Sequence, residues 1–205
     1  MFKTEQESFW SGDFGKDYTE RNNNAGILAS DVSLFERILS RTPGIRSVIE
    51  LGANIGLNLK ALRGLLTDVE LEAVEINGAA AAVLREWGGC EVREMSILDY
   101  EVKRQFDLAF TKGVLIHIDP SYLPCVYDLL HALARRYVLM AEYYNPVPVE
   151  VIYRGHQGKL FKRDFAGEFM NRFPDVCLLD YGFVYHRDPR FPMDDVTWFL
   201  MEKQQ

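Results

Sequence analysis

Cysteine is scarce in this 205-residue chain: there are three, Cys90, Cys125 and Cys177, and no two form a C-x-x-C pair. That excludes a disulfide framework and a zinc ribbon, and leaves buried free thiols as the ordinary reading. Long apolar runs are also missing. None approaches the roughly 18 to 20 residues that a helix needs to cross a bilayer. Positive charge is in short supply, with 23 Lys and Arg against 30 Asp and Glu and a net charge of −7. Such a balance argues against a broad footprint for nucleic acid or an anionic membrane. His and carboxylate ligands do not cluster, so no metal is expected. The opening MFKTEQESFW has neither an apolar signal core nor a small-residue cleavage site, so a cytoplasmic location is expected.

Hydrophobic residues at 48% and charged residues at 26% are enough for one well-buried domain. The spacing predicts a polar helical start, broken at Gly12, Gly15 and Asn22–Asn24, then a helix capped by Asp31 and running to Leu39. Strands are predicted at 47–51, 69–76, 90–95, 106–111 and 137–141. Helices are predicted between them at 57–66, 78–87 and 122–134. This alternation implies a mostly parallel α/β sheet with helices on both faces. After Asn145-Pro146-Val147-Pro148 the pattern changes, and 178–185 with 196–201 read as closing antiparallel strands. The expected organisation is one domain over 1–205, with a helical lid (1–44), a core (45–143) and a substrate-facing tail (144–205).

The most informative segment is VIELGANIGLNL, 48–59. A strand, an acidic residue, glycines and then a helix form a nucleotide-binding arrangement. Gly52 permits a tight turn and close ligand approach, Ala53 and Asn54 continue the loop, and Gly56 lets the following helix, with Asn58, pack on the strand. Glu50 decides between cofactors. A dinucleotide pyrophosphate gains nothing from a carboxylate there, whereas the ammonium of S-adenosylmethionine does, directly or through water. The loop also lacks G-x-G-x-x-G, which disfavours an NAD-dependent oxidoreductase. Glu75, about 20 residues further on, can grip both ribose hydroxyls, with Ile76 beside it and Asn77 assisting. Ser96 and Ile97 are placed to meet the adenine edge and face.

In order, ELGANIG, VEIN, SILDY and FTKGVLIHIDP resemble class I S-adenosylmethionine-dependent methyltransferases. Across nearly the whole chain, EQESFWSGDFGKDYTERN, EYYNPVPVEVIYRGHQGKLFKRDFAGEF and YGFVYHRDPRFPMDDVTWFL resemble the pseudaminic acid biosynthesis-associated methylases. The resemblance implies a Rossmann-like methyltransferase fold, S-adenosyl-L-methionine as cofactor and an acceptor from acidic-sugar biosynthesis. Asn54 stands where the general E-x-G-x-G-x-G pattern has its middle glycine. A noncatalytic cofactor-binding protein of a sugar pathway is the alternative.

His117, after the fourth strand at the ligand edge of the sheet, is the candidate base or else a packing residue. Lys112 either contacts the cofactor or shapes the strand end. Tyr18 and Arg21, three residues apart on one side of a helix, are expected to reach the cofactor carboxylate while Trp10 shields it. Tyr143, Tyr144 and Asn145 follow the fifth strand. With Arg154, His156, Lys159, Lys162 and Arg163 they suggest a pocket for an anionic carbohydrate or nucleotide-sugar, which Tyr185 would join. Nucleic-acid substrates are disfavoured because no N/D-P-P-Y/F motif is present.

Overall fold

The computed structural model describes residues 2–21 and 25–204, with nothing said of the side chains of Glu20, Arg21 and Ala25. Two short helices, α1 (Glu5–Ser11) and α2 (Asp13–Arg21), precede α3 (Ala25–Leu39). Thr4 and Glu7 close a reciprocal capping box at the start of α1, satisfying two backbone N–H groups that a helix start otherwise leaves free. Gly12 separates α1 from α2, as expected. Gly15 lies inside α2, where an added methyl would overlap the Trp10 carbonyl. It is an approach site between the two helices and not a break.

The alternating core follows: β1 (Ser47–Leu51), α4 (Leu57–Leu65), β2 (Glu70–Glu75), α5 (Gly78–Trp87), β3 (Glu91–Glu94) and β4 (Phe106–Lys112). Next come α6 (Leu123–Leu133), β5 (Ala134–Glu142) and the short strands β6 (Val149–Glu150) and β7 (Phe161–Lys162). The chain closes with α7 (Phe165–Arg172), β8 (Val176–Val184) and β9 (Val196–Lys203). Seven strands form one sheet in the order β3-β2-β1-β4-β5-β9-β8, while β6 and β7 form a separate ribbon. Every pairing from β3 through β5 is parallel, and β9 runs antiparallel to both of its neighbours. This is the mostly parallel sheet with a reversed C-terminal strand that the sequence predicts.

Successive strand residues serve opposite layers, as the two-residue period requires. Val48, Leu108 and Phe110 join Phe35, Leu59, Leu84 and Trp198 on one face. Ile49, Leu51 and Ala109 join Leu130, Leu133 and Phe169 on the other. Glu50, two residues from Val48, therefore belongs to the face covered by α3 and α4.

One expectation is corrected, and two features went unforeseen. Asp31 does not cap a helix, because α3 starts earlier and holds Asp31 in its interior, fully buried. The 145–163 stretch contains the β6–β7 ribbon, too short to show a period-two pattern. Helix α7 was missed among the mixed polar and aromatic residues of FAGEFMNR; Asp164 caps it by accepting the Gly167 N–H.

Gly56 adopts φ +75°, and a methyl there would collide with Leu84 of α5. A left-handed non-glycine residue costs roughly 1–2 kcal/mol, and displacement of Leu84 adds to it. Gly56→Ala should therefore lower the melting temperature by at least about 2–4 °C for a chain of this size. An unchanged transition in differential scanning calorimetry would count against this packing.

Candidate functional site

The carboxyl ends of β1, β2 and β4 open into a cavity of about 360 Å³, roofed by α1, α2 and α3. It lies where open parallel sheets place their ligands, and its volume falls within the roughly 300–1,000 Å³ of small-molecule sites. Tyr18, Gly52, Ala53, Asn54, Asn58, Glu75, Ile76, Ser96, Ile97 and Lys112 of the expected cofactor set all line it.

The loop after β1 owes its shape to three left-handed residues: Gly52 at φ +79°, Asn54 at +48° and Gly56 at +75°. Asn tolerates this region better than most side chains, which accounts for Asn54 in a glycine position. A Cβ at Gly52 would lie 2.5 Å from Val114, so the loop passes directly beneath the segment after β4. Glu75 is buried and accepts the backbone N–H groups of Asn54 and Asn77, each at 2.7 Å. Burial raises its pKa, and these hydrogen bonds oppose the shift. The carboxylate thus fixes the loop to the end of β2 while remaining part of the cavity wall.

Several expected residues stand elsewhere. Glu50 and Gly56 do not line the cavity. Glu50 is fully buried behind it and accepts the Asn58 Nδ2–H at 2.5 Å; burial pushes its pKa well above the carboxylate range, with Asn58 and Lys112 opposing. The side chain of Arg21 lies outside the described residues. Ser96 lines the cavity, but its hydroxyl donates to Glu7 and accepts the Leu98 N–H at 3.0 Å. The Ser96 hydroxyl is therefore committed to Glu7, a cavity-lining residue to which the sequence did not point.

Of the expected acceptor residues, Tyr143 alone lines the cavity. Arg154, at φ +49°, and Gly155, at +86°, form the tip of a tight hairpin in which Tyr153 and His156 exchange backbone hydrogen bonds at 2.9 Å. Positive φ at both central residues marks a type I′ turn. His156 packs edge-on against the stacked Phe9 and Phe14 rings, and Lys162 sits over the Tyr143 ring at 5.1 Å. Arg163 pairs with Glu168 at 2.6 Å, and Lys159 with Glu5 at 3.2 Å. Tyr144 and Tyr185 are exposed, and the Asn145 side chain donates to the Val147 carbonyl. The basic residues of the tail therefore do not converge on one anion site. Residues close in sequence along this folded-back segment find separate partners.

His117 lines the cavity, nearly buried, with its ring 4.5 Å from Trp10 and 5.0 Å from Tyr153. Its Nδ1 lies 2.6 Å from the Lys159 carbonyl, which can only accept. Nδ1 therefore carries the proton, and Nε2 keeps its lone pair. Burial lowers the pKa to about 4, against the opposing Lys159 hydrogen bond. Glu142, buried at the end of β5, accepts backbone N–H groups from Val114 at 3.0 Å and Leu115 at 3.1 Å. It holds the segment that carries Val114 and His117, and burial takes its pKa up to about 7.

No protein-family model matches the sequence, and no curated protein matches it, so the pseudaminic acid methylase resemblance is not confirmed. Solved structures do share the fold. The 1,6-didemethyltoxoflavin-N1-methyltransferase of Burkholderia thailandensis, holding its substrate and S-adenosylhomocysteine, superposes with a TM-score of 0.72 at 15% identity, covering 97% of this chain and 87% of that one. Magnesium protoporphyrin IX methyltransferase of Synechocystis PCC 6803, with S-adenosylhomocysteine bound, gives 0.72 at 12% identity over 97% and 98% of the chains. The plantazolicin methyltransferase BpumL, also with S-adenosylhomocysteine, gives 0.68 at 10% identity over 98% and 94%. The fold is thus the Rossmann-like fold of class I methyltransferases.

The His117 environment has a thermodynamic consequence. Its pKa is about 4 in the folded chain against 6.5 when unperturbed, so the unfolded state binds more protons between these values. Stability from this group is full above pH 6.5 and falls as pH drops toward 4. Glu142 has the opposite sign, losing stability as pH rises from the ordinary carboxylate range through about 7, but it is common to wild type and variant. Urea titrations from pH 7 to 4 should show wild type losing on the order of 3 kcal/mol relative to His117→Gln. Parallel profiles would rule out the buried neutral imidazole.

Proposed function

We propose that this protein is an S-adenosylmethionine-dependent methyltransferase acting on a small molecule. One observation carries the reading: the buried Glu75 carboxylate, held by two backbone N–H groups, forms part of the cavity wall at the end of β2. Its oxygens retain lone pairs that suit a ribose diol. Gly52 leaves room for a ligand against the loop, and Ile76, Ile97 and Leu98 supply apolar wall at the Ser96–Glu7 end. The residues present fit this cofactor, and cofactor-bound neighbours of the same fold support it. A G-x-G-x-x-G loop for a dinucleotide is absent, which disfavours NAD.

When bound, the cofactor supplies an electrophilic methyl group; the chain's task is to orient a nucleophile and exclude water. His117 accepts a hydrogen bond through Nε2 from the incoming O–H or N–H. A hydroxyl oxygen becomes strongly acidic as its bond to carbon forms, so an imidazole of low basicity suffices to take the proton late. Trp10 packs on the imidazole and Tyr18 packs on Trp10, which keeps water from that ring. This proton transfer separates the enzyme from a noncatalytic cofactor-binding protein.

Charge in the lining bears on the acceptor. Among the described residues Glu7, Asp31, Glu75, Asp119 and Asp194 face the cavity against Lys112 alone. A neutral or amine-bearing acceptor suits this wall better than the acidic sugar expected from the sequence. A screen with labelled S-adenosylmethionine should compare amines and alcohols with acidic sugars and nucleotide-sugars. Turnover confined to the acidic compounds would restore the sugar reading, with Arg154 reaching a group outside the cavity.

By calorimetry S-adenosylhomocysteine should bind and NAD should not. Glu75→Ala should weaken binding about tenfold or more, the cost of a charged hydrogen bond. His117→Ala should lower turnover roughly 10²-fold or more with affinity for S-adenosylhomocysteine retained. Wild-type affinity in the folded Glu75→Ala protein would remove the basis of the assignment.

A further inference from the structure

The two outer strands of the sheet differ in kind. At one edge β3 is four residues long, and Glu91, Arg93 and Glu94 are charged. A short charged strand is one way native sheets keep an edge from pairing. At the other edge β8 runs for nine residues as VCLLDYGFV, with no Lys or Pro and Asp180 as its one charge. No strand lies beyond it among the described residues. On the face that α7 covers at the Val176 end, Tyr181 is 62% exposed and Phe183 54%, and Leu178 and Tyr185 beside them are exposed too. Tyr181 stacks on Phe199 at 6.4 Å, and Phe199 meets the exposed Tyr144 at 5.8 Å, which makes one aromatic strip. An aromatic side chain carries roughly 150–250 Å², so the exposed halves of these three tyrosines and Phe183 amount to roughly 300–500 Å². With Leu178 and the strand backbone, the edge approaches the roughly 800 Å² that each partner gives to a stable interface.

We propose that β8 pairs with β8 of a second copy of this chain, antiparallel and two-fold about Gly182, joining two sheets into one. The Tyr181 N–H donates to Asp180 Oδ1 at 2.9 Å and so points away from β9. Alternate residues of an antiparallel ladder share a direction, which turns the Phe183 backbone outward as well. Beyond the bulge between Leu178 and Asp180, β8 pairs regularly with β9 from Asp180 to Val184, and Gly182 is the midpoint of that run. A two-fold there sets Tyr181 opposite Phe183 of the second copy, each such pair exchanging backbone hydrogen bonds in both directions and stacking aromatic against aromatic. Asp180 then faces Val184 of the second copy, so like charges do not meet. On pairing, Asp180 releases the Tyr181 N–H and keeps Arg41, whose Nε lies 3.7 Å from its other oxygen. Gly182 meets its own copy with no side chain between them; Trp198 fixes that glycine, since a Cβ would lie 2.8 Å from its ring. An isologous contact closes on itself, and the joined sheet ends in the charged β3 on both sides.

Sedimentation velocity on the full chain from about 1 to 100 μM should show monomer in equilibrium with a species of twice its mass. Phe183→Lys places on the edge the residue that native sheets use to block pairing. It should raise the dissociation constant roughly tenfold or more, the scale of an aromatic anchor at an interface. Its circular dichroism should match wild type, because Phe183 is exposed. The double variants Tyr181→Lys/Phe183→Lys and Tyr181→Glu/Phe183→Glu should each be monomeric alone, since like charges would face each other across the two-fold. Mixed, they should form the dimer. A wild-type chain that stays monomeric throughout, or a dimer that Phe183→Lys leaves intact, overturns the proposal. A wild-type dimer alongside a mixture that does not pair overturns the two-fold about Gly182.

Discussion

The Glu75 carboxylate joins three parts of the molecule at one point. One oxygen accepts from Asn54 in the loop after β1, and the other from Asn77 at the start of α5. Asn77 in turn caps α5 through its side-chain oxygen and donates from Nδ2 to the Trp10 carbonyl at 3.0 Å. The glycine loop, the second crossover helix and the roof formed by α1 and α2 are thus referred to one buried anion. Removing a partner from a buried charge costs more than making the pair gains, so this junction tolerates little change. The same side chain is the one best placed for a sugar diol, which couples the order of the roof to the wall it covers.

A second acidic junction works at the neighbouring strand edge. Glu142 closes the segment after β4 much as a capping side chain closes a helix, by accepting consecutive backbone N–H groups. Val114 is held there against Gly52, and His117 is turned toward the cavity with Nδ1 committed to the Lys159 carbonyl. Lys159 belongs to the tail, next to Gly158, whose carbonyl accepts from Gln6 of α1 at 2.9 Å. The histidine therefore sits where the core, the roof and the tail meet. Its tautomer is set by the tail and its low basicity by the burial that the roof provides.

Most strands and helices from 47 to 142 were legible because they are long enough to show their own period, and several are bounded by Gly, Pro or Asn; the seam between α6 and β5 has no such breaker. The lining residues of the glycine loop and of β2 were legible for a related reason: in an open α/β sheet the crevice lies at the strand ends, so chain position implies spatial position. That rule fails for the tail. The β6–β7 ribbon folds back on itself, and residues adjacent in sequence, such as Lys162 and Arg163, find separate partners in Tyr143 and Glu168. Asp31 was misread for a different reason. A carboxylate near a helix start is most often a cap, and only the tertiary packing of α3 on α4 shows it buried in the helix interior. Glu142 and Glu7 gave no signal, since an acidic residue at a strand end or in a first helical turn is ordinary.

Taken together, the buried acidic side chains divide into two kinds. Glu75 and Glu142 accept backbone N–H groups, which offset part of the desolvation that still raises their pKa, and they act as structural anchors. Asp31 and the outer oxygen of Glu50 are not satisfied by any donor among the described residues, although Lys112 lies close to Asp31. The difference separates carboxylates that join backbone segments from those held by side chains alone, Glu50 by Asn58 and Asp31 by Lys112.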